Sequence, residues 1–278
     1  MLDSCRFLEN EGYQVTYLRP DSHAIVEPET IRAAMRADTI IVSIMHVNNE
    51  IGVVQDIDAI GAICRERDVL FHVDAAQSLG KVPLDVEAMH IDLLSCTAHK
   101  FYGPKGIGAL YVRSDPPVSI RPLTYGGGQE RGLRPGTLPT HQIVGLAEAL
   151  RIAVQERESD HLRIRALRER LWRALQKRGD VSRNNPDEPC VAGILSVSFT
   201  GLSAEDLMLE AGDIAMSAGS ACASGSQHAS HVLQGIGLSD ERAHSTLRLS
   251  LGRFTTSDEV DRAAAALGRA MEQLRAVS

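Results

Sequence analysis

Three runs decide the fold: Thr39-Ile-Ile-Val-Ser-Ile-Met-His-Val-Asn-Asn49, Val69-Leu-Phe-His-Val-Asp-Ala-Ala-Gln77 and Leu93-Leu-Ser-Cys-Thr-Ala-His-Lys100. Each opens on apolar residues rich in β-branched side chains and closes on polar ones. Helix-period segments near 3–11, 28–37 and 57–67 alternate with such runs. That alternation is the signature of βαβ units around a parallel sheet. Residues 14–18 and 107–112 read as further strands. Most of the candidates are apolar on both faces, as expected where helices cover a sheet. The expected class is α/β, a mostly parallel sheet covered by helices.

Beyond these runs the pattern changes. A glycine-rich turn, Gly126-Gly-Gly-Gln-Glu-Arg-Gly-Leu-Arg-Pro-Gly136, precedes a long charged helix pattern over 142–177 with heavy Glu/Arg pairing. From Val191 the order reads strand (194–199), helix (204–211), strand, small-residue loop, helix, strand (247–251) and closing helix (257–274). This predicts a large domain over 1–154 and a smaller α+β domain over 155–278.

Composition narrows the function. With 44% hydrophobic and 23% charged residues, the chain can bury a core, which argues against disordered, collagen-like and disulfide-scaffold classes. Its net charge of −7 provides no overall basic field for nucleic acid or an anionic membrane. The longest strongly apolar stretch, 39–47, is far below the roughly 20 residues of a membrane helix. The first residues form no secretory signal, and a cytoplasmic location is expected. The five cysteines, at 5, 64, 96, 190 and 222, contain no Cys-x-x-Cys pair, which fits a reducing compartment and no metal site. Cys222 stands apart in Ser217-Ala-Gly-Ser-Ala-Cys-Ala-Ser-Gly-Ser226, where little apolar bulk could bury it.

In parallel sheets, ligands gather at the carboxyl ends of strands. The three runs therefore place Asn49, Asp74, Gln77, Thr97, His99 and Lys100 on one rim. A lysine just past a buried strand, partly desolvated, suits Schiff-base chemistry, because a neutral amine attacks carbonyls. Alone, such a lysine is a solvated loop residue, and Asp74 alone is a helix cap or turn residue. Together they match what pyridoxal phosphate requires, an amine for its aldehyde and a carboxylate for its ring nitrogen. No P-loop, Gly-x-Gly-x-x-Gly or zincin pattern competes, and the pairs His72/Asp74 and His228/His231 lack a third metal ligand.

Six ordered segments then carry a resemblance: 43–52, 72–78, His99-Lys100, Tyr102-Gly-Pro-Lys-Gly-Ile-Gly108, Arg134-Pro-Gly-Thr137 and Ser220-Ala-Cys222. The chain resembles the cysteine desulfurases of the NifS/IscS type, which are class-V, fold-type-I pyridoxal-phosphate enzymes. The resemblance implies that Lys100 bonds covalently to pyridoxal 5'-phosphate, Asp74 binds its ring nitrogen and Gln77 its phenolic oxygen. Thr97 and His99 would hold the phosphate, and Thr137 would reach the phosphate of a neighbouring subunit, which implies a homodimer. Asn49 and Arg248 would take the carboxylate of L-cysteine, with Asn49 also near the cofactor; an Arg fork is the natural bidentate partner of a carboxylate. Cys222 would accept the sulfur as a persulfide, pass it to a sulfur acceptor or iron–sulfur scaffold protein, and transiently ligate an iron–sulfur cluster. Gly219, Ser220, Ala223, Ser224 and Gly225 are small residues suited to a loop that moves; without the Lys100 and Asp74 context the same stretch reads as a linker with an idle thiol.

The sequence also departs from the family. Met1 begins after two segments that the family uses, one giving a helix N-terminus for the phosphate and one a histidine that stacks on the ring. The expectation is an N-terminally truncated chain with weakened cofactor binding and exposed sheet surface. Gln227-His-Ala229 replaces Leu-Glu-Pro after the loop, and Pro135 stands where Ser or Ala precedes Gly-Thr. Two alternatives stay open: a selenocysteine lyase-like class-V enzyme, and an incomplete fragment that only binds a homologue or scaffold.

Overall fold

The computed structural model describes residues 1–218 and 230–277. In chain order its elements are α1 (Leu2–Asn10), α2 (Pro28–Ala34), β1 (Ile41–Met45), α3 (Ile57–Glu66), β2 (Leu70–Asp74), β3 (Leu93–Thr97), β4 (Gly108–Val112) and α4 (Thr140–Gln176). There follow β5 (Val181–Arg183), β6 (Ile194–Phe199), α5 (Ala204–Glu210), α6 (His231–Gly235), α7 (Asp240–His244), β7 (Thr246–Ser250) and α8 (Ser257–Val277). Short 3-10 turns occupy Ala98–Phe101 and Glu130–Gly132.

The first sheet has the order β1-β2-β3-β4, and the first three strands are parallel. The parallel start requires crossovers, and α3 supplies the one between β1 and β2. Asp56 caps α3 by accepting from the Ala59 amide at 3.0 Å. The helix lays Ile57, Ile60 and Cys64 onto Phe71, Val73, Ile91 and Leu94, with Ile31 of α2 in the same core. Asp92 closes this layer: its carboxylate accepts from the Phe71 amide at 2.7 Å and pairs with Arg113 at 2.8 Å.

The opposite face of this sheet differs from the expectation of two apolar faces. Strand register puts Ser43, His72, Asp74, Ser95 and Thr97 on one side, half-buried or exposed, with Ile41 and Leu110 exposed beside them. His72 bridges three strands there, bonding Ser43 Oγ at 2.7 Å and Ser95 Oγ at 3.2 Å. Two further expectations are corrected, and the direction of one strand is settled. Residues 14–18 form no strand. β4 returns antiparallel to β3, since the 3-10 turn and the short segment after it allow a reversal but no crossover. The strand expected before the small-residue loop is, among the described residues, a single bridge between Ser217 and Arg248.

The second sheet, β5-β6-β7, is antiparallel, and all six residues of β6 are buried. Leu195, Val197 and Phe199 pack with Leu247 and Leu249 against Leu171 and Leu175 of α4, Leu207 of α5 and Leu267 and Met271 of α8. The expected domain boundary at 154/155 falls inside α4, which packs on Ala98 and Phe101 of the turn after β3 through Ala153 and on the second sheet's core through Leu171.

Gly61 shows how tightly α3 sits: a Cβ there would lie 2.0 Å from the Met89 carbonyl oxygen. The substitution Gly61→Ala is expected to destabilise the chain by about 1–3 kcal/mol, read as a lower urea midpoint with unchanged slope.

Candidate active site

The parallel strands end together, with Met45 beside Asp74 and Asp74 beside Ser95, so one rim carries the polar residues that follow. Asp74 is half-buried and its Oδ1 accepts from the Ala76 amide at 2.9 Å, starting the turn that brings Gln77 back over the rim. Thr97 closes β3, and its Oγ1 shares a 3.0 Å hydrogen bond with His99 Nδ1. Lys100 lies in the following 3-10 turn, which Tyr102 ends in the left-handed conformation at φ 68°.

A cavity of about 260 Å³ opens between the two sheets, lined by Asn49, Gln77, His99, Lys100 and Arg248 from the sequence-derived set. Asp74 and Thr97 are placed at the strand ends and do not line it, and Thr137 is exposed in the loop before α4. The sequence reading missed Lys81 and the α4 residues Arg157, Asp160 and His161, together with Arg253, all of which line the cavity. The α4 residues looked like solvated positions of a charged helix; only packing shows which side of it meets the cleft. Asp160 is the one lining carboxylate among the described residues, and it already pairs with Arg253 at 2.7 Å. The cavity therefore favours anions in a chain that is anionic overall.

Contacts between the two halves fix this geometry. Arg248 on β7 donates from Nη1 to the Asn49 carbonyl at 3.0 Å, and its backbone amide donates to Ser217 at 2.7 Å. Ser230 Oγ donates to the buried Glu50 carboxylate at 2.5 Å. The Tyr102 hydroxyl accepts from the Arg253 amide at 2.7 Å while the Arg253 guanidinium lies 5.1 Å from the Tyr102 ring centroid. Gly52, at φ 74°, presses against Cys190, Val191 and Ile194, and its carbonyl accepts from the Val191 amide at 2.9 Å. Cys222 lies outside the described residues, but the chain on either side of it, Ser217 and Ser230, is tied to neighbours of Asn49 and Arg248.

The desolvated amine expected at Lys100 is found elsewhere. Lys100 is exposed, whereas Lys81 is drawn inward and donates to Gln77 Oε1 at 2.8 Å. Burial, then the neighbouring Lys100 charge, pushes Lys81 down to about 8. His46, buried at the end of β1 with its Nδ1 unpartnered among the described residues, is pushed down from 6.5 to about 4 by burial. Burial raises the thiols of Cys64, to about 12, and of Cys96 and Cys190, as packing cysteines require. Cys5 is only half-buried, since α1 buries none of its residues.

A model of the class-V aminotransferase family matches residues 4–263. The chain belongs to the class-V aminotransferases. Its sequence is similar to cysteine desulfurase IscS of Tolumonas auensis, 56% identical over the whole chain and 69% of that protein, and to cysteine desulfurase IscS of Shewanella sediminis at 53% with the same coverage. Among solved structures, a NifS-like protein superposes with a TM-score of 0.88 at 36% identity, covering 99% of this chain and 72% of that one. A structure described as SspA in complex with cysteine gives 0.78 at 39% identity, covering 92% and 71%. The sheet and helices thus conform to the pyridoxal-phosphate fold type I of this family. No described helix is long and apolar enough to cross a membrane, and no three described His, Cys, Asp or Glu side chains cluster as metal ligands.

The neutral His46 of this class-V chain sets a pH dependence. Its folded value lies below its unfolded one, so protons bind preferentially to the unfolded chain as pH falls from 6.5 towards 4, and stability is lost over that window. His46→Gln is expected to reduce the loss between those pH values by up to about 3 kcal/mol, measured as urea stability at each pH.

Proposed function

We propose that this chain is a pyridoxal-phosphate-dependent cysteine desulfurase that converts L-cysteine to L-alanine and carries the sulfur as a persulfide on Cys222. The single observation that carries the reading is that Gln77, His99, Lys100, Asn49 and Arg248, five residues from four distant segments, line one cation-rich cavity. The family relatives named cysteine desulfurase share the whole of the chain.

The residues fit the cofactor. Lys100 is exposed to the cavity and no described carboxylate pairs with it, which leaves the amine available for an aldehyde. The Asp74 carboxylate makes no described ion pair, so it is available to a cationic ring nitrogen. Gln77 offers an amide for the phenolic oxygen, and Thr97 with His99 offers donors for the phosphate. Thr137, exposed on its loop, would serve the neighbouring subunit's phosphate in a homodimer. When bound, pyridoxal phosphate supplies an electron sink that lets the substrate's carbon–sulfur bond break.

The chain's own residues supply the remainder. Arg248 holds the substrate carboxylate with the guanidinium nitrogens not engaged by the Asn49 carbonyl, and the Asn49 amide supports the same group. The cationic lining favours the anionic form of cysteine, and Lys100 is placed to move protons at the substrate carbon. Cys222, as thiolate, attacks the substrate sulfur: an S–S bond forms, the Cβ–S bond breaks, and the electron pair left on carbon takes a proton to give alanine. From Ser217 the chain needs five residues to reach Cys222, a span of at most about 18 Å when extended. The persulfide is then handed to a sulfur acceptor or iron–sulfur scaffold protein, and the setting of the reaction is the cytoplasm.

The test is to add pyridoxal phosphate to the purified chain, reduce with borohydride, map the adduct by peptide mass spectrometry and assay sulfide release from L-cysteine. One adduct at Lys100 is expected, lost in Lys100→Ala; scattered surface adducts overturn the reading. Cys222→Ala is expected to keep the adduct but lose activity by about two orders of magnitude or more. Retained activity in that variant would instead favour a selenocysteine lyase-like mechanism. Arg248→Lys is expected to raise KM at least roughly tenfold with the adduct intact, since a point charge does not replace a bidentate fork.

A further inference from the structure

Lys81 follows Gln77 by four residues, lines the same cavity, and its one described side-chain partner is Gln77 Oε1 at 2.8 Å. A primary amide has one accepting end and one donating end. With the oxygen held by an ammonium, the NH2 group is the end left to face the cavity. The reversed amide would set NH2 hydrogens against an ammonium, two donors in contact, in a partly buried place where an unmade hydrogen bond is costly. Gln77 is only half-buried and has no other described side-chain partner, so nothing else selects its orientation.

We infer that Lys81 is a positioning residue for Gln77: by holding the amide oxygen it fixes the NH2 group as the donor offered to the cofactor's phenolic oxygen. This rests on the reading that pyridoxal phosphate is the resident cofactor. The arrangement is pH-sensitive. Lys81 is a pure donor only while charged, and its proton is lost above about 8. The charged and titratable groups facing the cavity with it are His99, Lys100, Tyr102, Arg157, His161, Arg248 and Arg253, against Asp160, which Arg253 already holds. All but one repel or are neutral toward an ammonium, so none of them substitutes for the Gln77 contact. Once neutral, Lys81 can accept, and the amide is free to turn its NH2 inward and away from the cofactor.

The experiment measures the apparent affinity of the chain for pyridoxal phosphate and for its 3-deoxy analogue, which lacks the phenolic oxygen. The readout is the borohydride-reduced adduct at Lys100, quantified by mass spectrometry against aldehyde concentration. Lys81→Met is expected to weaken pyridoxal phosphate by about tenfold, the scale of one charge-assisted hydrogen bond, and to leave the 3-deoxy analogue unchanged. In a double-mutant cycle, Lys81→Met added to Gln77→Leu is expected to cost nothing further. Lys81→Arg, which keeps a donor and guards against a misfolded methionine variant, is expected to stay within about threefold of the parent. The gap between parent and Lys81→Met should narrow above pH 8. Equal weakening of both aldehydes, or additive losses in the cycle, would overturn the inference and leave Lys81 a structural or charge residue. If the parent chain forms no adduct at Lys100, the cofactor reading itself fails and this inference falls with it.

Discussion

The site depends on the hydrogen bond from the Arg248 guanidinium to the Asn49 carbonyl at 3.0 Å. It joins a loop that leaves the first sheet to a strand of the second, and neither sheet alone encloses the cavity. The same arginine's backbone holds Ser217, so one residue ties together the substrate end of the site and the segment leading to Cys222. An arginine in an otherwise apolar strand would be costly without such partners; here the Asn49 carbonyl and the cavity receive its guanidinium. Around this link, Gly52 against Val191, Tyr102 against Arg253 and Ser230 against Glu50 act as further ties. Because they are dispersed over distant segments, the cavity keeps its shape only while the whole fold is intact.

Charge is distributed unevenly, and function follows from it. The chain is anionic overall, yet its cavity presents lysine, arginine and histidine with, among the described residues, a single, already paired carboxylate. A low-dielectric cleft with one sign of charge concentrates anionic ligands. The cofactor phosphate and the carboxylate of an amino acid are both of that kind. The opposite arrangement holds at Asp74, where a carboxylate stands apart from described cations and can stabilise a positive ring nitrogen. The exposed sheet face beside Asp74 carries Ser43, His72 and Ser95 joined by hydrogen bonds, a polar row in a position the alternation of the strands already contained.

How much was legible before folding differs by residue. β6 was visible to the residue, and α3, α4 and α8 within a few residues, because residue type and periodicity, apolar in β6 and charged in α4, are local signals. The direction of β4 was not, since antiparallel return and parallel crossover leave similar apolar runs and differ only in the connection. Asn49, Gln77, His99, Lys100 and Arg248 were nameable from motif residues, and the structure gathers them. Lys81 was overlooked although it lies in plain sequence four residues past Gln77, because a lysine in a turn carries no signal of burial until the turn is packed.

The sequence by itself determined the α/β class, the longest elements and a partial set of chemically competent residues, because periodicity and residue type are local properties. The tertiary structure alone decided which of those residues share a cavity, that the amine drawn out of solvent is Lys81 and not Lys100, and that α4 contributes to the lining. These outcomes depend on distances between segments far apart in sequence, 199 residues between Asn49 and Arg248, and on the dielectric that packing creates around each charge. No local pattern encodes either.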